Sequence, residues 1–124
     1  MRQDDENTIE KGMAGEEAAV NFLVSKGLKI LDRNWRVGHK EVDIIAVDGQ
    51  YVAFIEVKTR KTPPQRIEDL ISRTKMQNLL SAASYYIKAK HITQECRFDV
   101  MVLIGSNGKY DINFMPGAFR SYLR

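Results

Sequence analysis

The chain has 124 residues, 44% of them hydrophobic and 28% charged, which is the composition of a single soluble globular domain. No apolar run reaches the ~18 residues that a membrane-spanning helix needs. The single cysteine, Cys96, excludes an internal disulfide and a cysteine-based metal cluster. The polar, acidic N-terminus lacks the pattern of a secretory signal or transit peptide, so we expect a cytoplasmic protein with no membrane partner.

Charge is distributed unevenly along the chain. Residues 1–17 carry two bases and six acids, so the net charge of +3 divides into −4 for this segment and +7 for residues 18–124. Within the basic part, residues 58–66 hold four bases and no acid. Concentrated positive charge favours a polyanionic partner, with nucleic acid as the first candidate. The alternative, a solvated loop that keeps the protein soluble, stays open on charge alone.

The first predicted element is a helix over residues 8–26. Asn7 and Glu10 have the spacing of a capping box, and Gly27 is placed to end the helix. One face of this helix is apolar and should pack on a core; it contains Ile9, Met13, Val20, Leu23 and Val24. Beside that stripe lie three small residues that would allow a neighbouring backbone to approach closely: Gly12, Gly15 and Ala19.

Strand patterns follow over residues 28–36, 41–47 and 51–59, and Asp48-Gly49 between the last two predicts a β-hairpin. Both hairpin strands are apolar at successive positions, which is typical of strands covered on both faces. A second helix is predicted to begin between residues 67 and 72 and to end near Lys90. Its apolar stripe consists of Met76, Leu79, Leu80, Ala83, Tyr86 and Ile87.

Two further strands, over residues 98–104 and 110–114, complete the predicted order α-β-β-β-α-β-β. This order indicates an α/β fold in which helices flank a mixed central sheet. The sequence contains no repeat and no linker that would divide it, so residues 1–124 are expected to form one domain. Residues 1–7 and 116–124 are candidates for flexible ends.

Side-chain alternation on the predicted hairpin brings two carboxylates and a lysine together. In a regular hairpin, Asp43, Glu56 and Lys58 lie on one face, within reach of each other. A two-residue turn at Asp48-Gly49 places Asp43 opposite Phe54, whereas a four-residue loop places Asp43 directly opposite Glu56. A one-residue bulge would break this inference.

Two carboxylates at an apolar surface are costly unless positive charge compensates them. Lys58 supplies one charge and a divalent cation would supply the rest; oxygen ligands of this kind suit Mg²⁺ or Mn²⁺. Glu16 adds a third acid, because it interrupts the apolar face of the first helix and should point into the core or a cleft. Plain alternatives exist: Glu-x-Lys on a strand is commonly a surface ion pair, and Glu16 could pair with a buried arginine.

These residues belong to an ordered series of short stretches. Twelve residues separate Asp43 from Glu56-Val57-Lys58, and the remaining stretches are residues 15–19, 34–36, 41–46, 54–60, Lys75 and residues 97–100. In this order, and in an α-β-β-β-α-β setting, they resemble the PD-(D/E)xK nuclease superfamily. They most resemble its small bacterial YraN-type family, which is similar to archaeal Holliday-junction resolvases.

The resemblance implies a restriction-endonuclease-like fold and a role for each matching residue of the site. Asp43, Glu56 and the Val57 carbonyl would bind Mg²⁺. Glu16 would bind the metal through water or hold a second ion. Lys58 would orient or activate the attacking water and offset the charge that develops at phosphorus.

The nucleic-acid contacts are expected from the basic residues around this site. The resemblance implies that Arg60 and Lys75 contact phosphates. The same basic segment contains Lys61 and Arg66, and Arg36 belongs to a matching stretch. We therefore expect these five cations to bind nucleic acid, with DNA as the first candidate.

Three functions are compatible with these patterns. The first is a Mg²⁺-dependent nuclease that hydrolyses DNA phosphodiester bonds, with branched structures as a substrate to test. The second is a nucleic-acid-binding accessory protein of the same fold with weak or no cleavage. The third is a protein-interaction domain whose acids are structural. A homodimer would double the basic surface and present two sites to two strands, but no residue requires one.

Overall fold

The computed structural model of the protein describes residues 3–66 and 69–118, with side chains described for residues 14–66 and 69–118. The elements occur in the predicted order, and the predicted α/β fold is confirmed. They are α1 (Gln3–Ser25), β1 (Lys29–Val37), β2 (Lys40–Asp48), β3 (Tyr51–Arg60), α2 (Arg73–Ala89), β4 (Glu95–Ser106) and β5 (Lys109–Met115).

The five strands form one mixed sheet in the order β1-β2-β3-β4-β5. Neighbouring strands are antiparallel except β3 and β4, which are parallel along the whole length of β3. The parallel pair is joined by α2, because parallel neighbours need a long crossover connection. The central strand β3 therefore carries Glu56 and Lys58 in the middle of the sheet.

Each face of the sheet is covered by one helix, as the apolar pattern of the hairpin strands predicts. Phe54 shares a core with Leu79 and Tyr86 of α2, whereas its neighbour Ile55 shares a core with Leu23 of α1. Each of these residues is at least 97% buried, and burial of such a side chain contributes about 1.5–3 kcal/mol. No helix among the described residues is long and apolar enough to cross a membrane.

The helices begin at different places from those predicted. α1 begins at Gln3 rather than residue 8, so Asn7 lies inside the helix and does not cap it. α2 begins at Arg73 because the Ser72 side chain accepts a hydrogen bond from the Lys75 N–H, the geometry of an N-cap. Residues 67 and 68, where the predicted range for this start began, lie outside the described residues.

The buried face of α1 is set by its small residues. Gly15, Ala19 and Leu23 are buried, whereas Val24, which was predicted to pack on the core, is 55% exposed. The close approach of the small side chains to the sheet turns Val24 toward solvent. The predicted stripe residues Ile9 and Met13, and the small residue Gly12, lie outside the part of the chain whose side chains are described.

Gly15→Ala is expected to destabilise the protein by about 1–3 kcal/mol, although alanine is the better helix former. A Cβ at this position would lie 2.6 Å from the Thr59 side-chain oxygen. Denaturant titration of the variant measures the loss. The double variant Gly15→Ala/Thr59→Ala should recover stability. If the double variant is as unstable as Gly15→Ala, the contact with Thr59 does not cause the loss.

The β2–β3 hairpin adopts one of the two predicted registers. Asp48 pairs with Tyr51 and Ile45 pairs with Phe54, so the two turn residues are Gly49 and Gln50. Gly49 has a φ of +58°, which favours glycine. This register places Asp43 at the level of Glu56 rather than Phe54.

Candidate active site

The β2 and β3 strands part at Asp43. Within the described strands, their pairing ends at Ile44 and Ile55. The Val57 N–H, instead of pairing with the β2 backbone, donates a hydrogen bond of 2.8 Å to Asp43 Oδ2. Strand N–H groups point along the sheet toward the neighbouring strand. The Asp43 carboxylate therefore lies in the gap between the two strands.

Side-chain alternation is interrupted at this point of β2. Val42 and Ile45 pack on the α2 core, whereas Ile44 packs on the α1 core. Strict alternation would place Val42 and Ile45 on opposite faces. On the neighbouring strand β1, Asn34 has a left-handed φ of +51°. The irregular backbone on both strands gives Asp43 its place between them, a deviation from the regular hairpin on which its predicted face was based.

Glu56 is buried on the α2 side of the sheet and is paired with two lysines. Its side chain is 3% exposed, and Oε1 lies 3.2 Å from Lys58 Nζ and 3.6 Å from Lys75 Nζ of α2. The second oxygen, Oε2, is also buried but has no hydrogen-bond partner. A buried carboxylate oxygen without a partner is costly. Only one of the two carboxylate oxygens of Glu56 therefore has a partner.

The proximity of the two carboxylates affects Asp43. Burial, together with the negative charge of Glu56, raises the pKa of Asp43 from its ordinary value of 3.8 to about 7, although the Val57 N–H acts in the opposite direction. Glu41 and Glu16 add smaller effects of the same sign as Glu56. Burial and the neighbouring carboxylates thus both disfavour the ionised form of Asp43, and a bound cation would favour it.

A cavity of about 490 Å³ opens at the gap between β2 and β3. Glu16 of α1 lines it, and Glu16 Oε1 is buried without a hydrogen-bond partner. Burial raises the pKa of Glu16, whereas Asn34 and Arg33 counteract this effect. The lining residues are Glu16, Asn34, Glu41, Asp43, Val57, Lys58, Thr59, Arg60, Lys61, Gly105, Ser106 and Tyr110.

The predicted nucleic-acid-binding cations have different surroundings. Arg60 and Lys61 are exposed and line the cavity. Lys75 is turned toward Glu56, and its side chain is 39% exposed. Arg66 pairs with Asp69 at 3.6 Å, and Arg36 pairs with Glu41 at 3.3 Å. Arg60 and Lys61 are therefore the two of the five that border both the cavity and solvent.

Few side chains are placed where they could bind a metal ion. Within residues 14–66 and 69–118, no group of three or more histidine, cysteine or acidic side chains could hold a metal. Mg²⁺ is nevertheless bound in proteins by one or two carboxylates while it keeps several waters. Asp43 and Glu56, with the Val57 carbonyl, fit that requirement. One oxygen of Glu56 is buried without a hydrogen-bond partner, and burial and neighbouring acids raise the pKa of Asp43, so a cation bound here would stabilise both carboxylates.

Comparison with known proteins gives the family. Residues 15–103 match the model described as uncharacterised protein family UPF0102. The chain belongs to UPF0102. A UPF0102 protein of Bacteroides thetaiotaomicron is 40% identical over 111 residues, which are 89% of this chain and 92% of the relative. A second, from Lawsonia intracellularis, is 35% identical over 93% of this chain and 89% of its own length. The family name carries no activity, so the function must be inferred from the site.

Several residues of this UPF0102 chain have contacts that the sequence patterns did not predict. Lys75 pairs with Glu56, and Asn34 lines the cavity together with Glu16. Tyr110 lines the cavity from β5. Partly exposed Arg97 pairs with the fully buried Asp99, with Arg97 Nε and Asp99 Oδ1 2.9 Å apart. That last pair had a usable signal, because alternation places residues two apart on the same face of a strand.

The free energy of unfolding of the metal-free protein is expected to fall as pH rises from about 4 to about 7. In this window the unfolded chain ionises Asp43, whereas the folded protein, with its raised pKa, keeps the proton. The fall is at most about 1.4 kcal/mol per pH unit and ends above the folded pKa. Denaturant titrations of wild type and Asp43→Asn in a chelator isolate this contribution. Identical pH profiles for the two proteins would contradict it.

Proposed function

We propose that this chain is a Mg²⁺-dependent endonuclease of the PD-(D/E)xK type that hydrolyses DNA phosphodiester bonds. The observation that carries the proposal is the pair of buried acids Asp43 and Glu56: Asp43 has a raised pKa and lines an open cavity, and one carboxylate oxygen of Glu56 is buried without a partner. A cation that binds oxygen ligands would relieve both carboxylates. Exposed Arg60 and Lys61 at the rim suit a polyanionic substrate.

The chain's own residues would each perform a distinct part of the hydrolysis. Asp43, Glu56 and the Val57 carbonyl would hold the cation, which polarises the scissile phosphate and lowers the pKa of attacking water. Lys58 Nζ, 3.2 Å from Glu56 Oε1, is positioned to donate to a phosphate oxygen and stabilise charge in the transition state. Lys75, on the same carboxylate oxygen, would hold the Glu56 side chain in place.

A nucleic-acid-binding accessory protein without cleavage is the second candidate. It is favoured by the two lysines that already pair with Glu56, since this arrangement gives the acid a structural role. The absence of a third acidic or histidine ligand among the described residues points the same way. In this alternative, the chain would bind DNA through its basic rim and change no covalent bond.

Incubation with DNA tests the two candidates directly. The substrates are duplex, flap, four-way-junction and single-stranded DNA of matched sequence, each with Mg²⁺ or Mn²⁺. Cleavage by wild type that is lost in Asp43→Ala supports the nuclease. Binding to these substrates without metal-dependent cleavage supports the accessory protein. Cleavage that Asp43→Ala retains would indicate a contaminating nuclease and remove the support for the proposal.

Lys61→Ala is expected to weaken binding to every DNA sequence alike and to reduce its salt dependence. Each phosphate neutralised on duplex contributes about −0.9 to the slope of log affinity against log salt. Loss of one contact should therefore flatten the slope by about that amount. Affinity measured across a range of salt gives this slope, and Lys88→Ala, an exposed cation in the last turn of α2, is the control. If both variants keep the wild-type slope, Lys61 contacts no phosphate.

A further inference from the structure

Part of the cavity lining has no role in the proposed hydrolysis. The acids Glu16, Glu41 and Asp43 and the cations Lys58, Arg60 and Lys61 all line the cavity. Three further lining residues come from the β4–β5 hairpin: Gly105, Ser106 and Tyr110. None of these three takes part in the proposed hydrolysis, so they can contact a different part of a bound substrate.

The position opposite Tyr110 carries no side chain. Tyr110 pairs directly with Gly105 across the antiparallel hairpin. Directly opposed residues of such a pair place their side chains next to each other on one face, so Tyr110 has no side-chain neighbour at position 105. Gly105 has a φ of +141°, and a Cβ there would overlap the Lys109 carbonyl oxygen. The backbone thus requires glycine at position 105, because the Lys109 carbonyl oxygen fills the space that a side chain would take there.

The Tyr110 side chain is held by packing and also borders the cavity. It packs against the α1 core, together with Val57 and Ile112, and it also lines the cavity. A ring held in this way loses little conformational entropy when a flat ligand stacks on it. Aromatic side chains are the usual stacking platforms for nucleic-acid bases. The cavity volume of about 490 Å³ is within the ~300–1,000 Å³ of small-ligand pockets.

We infer that the cavity accepts one unpaired nucleotide, whose base stacks on Tyr110 while its phosphate lies at Lys58, Arg60 and Lys61. This inference rests on the proposed nuclease function and specifies its substrate class. A base inside a duplex is paired and stacked, and must be extruded before it can enter a pocket, at a cost that is smallest for bases already unpaired. The preferred substrate is therefore single-stranded DNA or DNA with an unpaired nucleotide at the cleavage position.

Binding of oligonucleotides that contain 2-aminopurine tests the inference, because stacking quenches the fluorescence of this base. The probes are a single strand and a fully paired duplex of the same length. They are titrated with protein in Ca²⁺, which binds similar oxygen ligands. The variants are Tyr110→Leu, which removes the aromatic ring but retains apolar bulk, and Tyr110→Phe, which retains the ring. Tyr85→Leu is the control, since Tyr85 is a tyrosine on α2 that is 55% exposed and outside the cavity.

Wild type, Tyr110→Phe and Tyr85→Leu should bind the single strand more tightly than the duplex and quench the probe. Tyr110→Leu should lose roughly 5- to 100-fold in single-strand affinity and abolish the quenching, with duplex affinity unchanged. Retained affinity and quenching in folded Tyr110→Leu would overturn the inference, and Tyr110 would then merely cover Gly105. If Tyr110→Leu does not fold, the test is the affinity of wild type for the single strand compared with the duplex. Equal affinity for the two probes would overturn the inference.

Absence of the unpaired-nucleotide site and absence of nuclease activity would give different results. Metal-dependent cleavage of duplex and single strand at equal rates, unaffected by Tyr110→Leu, would leave the nuclease standing and remove only the unpaired-nucleotide site. Absence of binding and cleavage on every probe would remove the nuclease as well. A stacked single strand without cleavage would retain the base site in a binding protein and reject hydrolysis.

Discussion

Asp43→Asn is expected to abolish Mg²⁺-dependent cleavage while leaving the metal-free protein folded and at least as stable as the wild type. The wild-type carboxyl is buried beside Glu56, and this environment disfavours its ionised form. The uncharged amide removes that unfavourable interaction, and its oxygen can still accept the hydrogen bond from the Val57 N–H. The variant therefore lacks one of the two carboxylates that would hold the cation but keeps the local structure.

The loss of Mg²⁺ binding in Asp43→Asn should be measurable in the stability of the protein as well as in its cleavage activity. At Mg²⁺ a hundredfold above its dissociation constant, a protein that binds one ion only when folded gains about 2.7 kcal/mol. Wild type should show this gain in thermal melts, and Asp43→Asn should show little of it. Cleavage should fall by more than ~100-fold, because loss of an outer-shell partner alone can reduce activity or metal affinity 10- to 100-fold.

Two further variants serve as controls for Asp43→Asn. Lys58→Met keeps both carboxylates, so it should retain the Mg²⁺-induced stabilisation and lose cleavage, since its charge acts in the transition state. Glu56→Gln should lose stability even without metal, because Lys58 and Lys75 would then face an uncharged amide. If Asp43→Asn unfolds the metal-free protein, or keeps the full response to Mg²⁺, Asp43 is a structural residue and the metal site is rejected.

The central part of this site could be predicted from the sequence because it depends on local rules. Alternation along β3 places Glu56 and Lys58 on one face, whatever the rest of the fold does. The turn dipeptide Asp48-Gly49 predicted the hairpin but left two registers open. The choice depends on whether Asp48 closes the turn or pairs with Tyr51, and local sequence does not decide between them.

Other features of the site depend on packing between distant segments. Lys75, in the first turn of α2, reaches Glu56 of β3 only through tertiary packing, and nothing within either segment specifies that contact. The place of Asp43 between the strands follows from irregular backbone that involves Asn34 on the neighbouring strand. Val24 was assigned to the buried face from its apolarity, whereas the distance between helix and sheet is set by Gly15 and Ala19.

The second large expected effect lies outside the cavity, in a buried charged cluster. Asp99 is fully buried and accepts two hydrogen bonds from the Arg97 guanidinium, at 2.9 and 3.0 Å, and one of 2.8 Å from the Gly117 N–H. Arg97 also pairs with Asp48 at 2.9 Å. This cluster connects the end of β2, the start of β4 and the turn after β5, and none of its residues lines the cavity.

Asp99→Ala is expected to cost about 3–5 kcal/mol of unfolding free energy, the usual loss when one partner of a buried ion pair is removed. The substitution leaves the Gly117 N–H without its acceptor and Arg97 with the partly exposed Asp48 as its ion-pair partner. Urea titration measures the loss, with an unchanged slope showing that the change lies in stability rather than in the unfolded state.

Asp48→Ala is the matched control for Asp99→Ala, because it removes a carboxylate from the same guanidinium at a site whose side chain is 39% exposed. An ion pair this open to solvent contributes about 0–1 kcal/mol, so its loss should be small. Cleavage by folded Asp99→Ala at low temperature should equal that of wild type, since none of the cluster's residues lines the cavity. A loss no greater than that of Asp48→Ala would show that Gly117 and Arg97 find other partners. Loss of cleavage in the folded variant would instead connect the cluster to the active site.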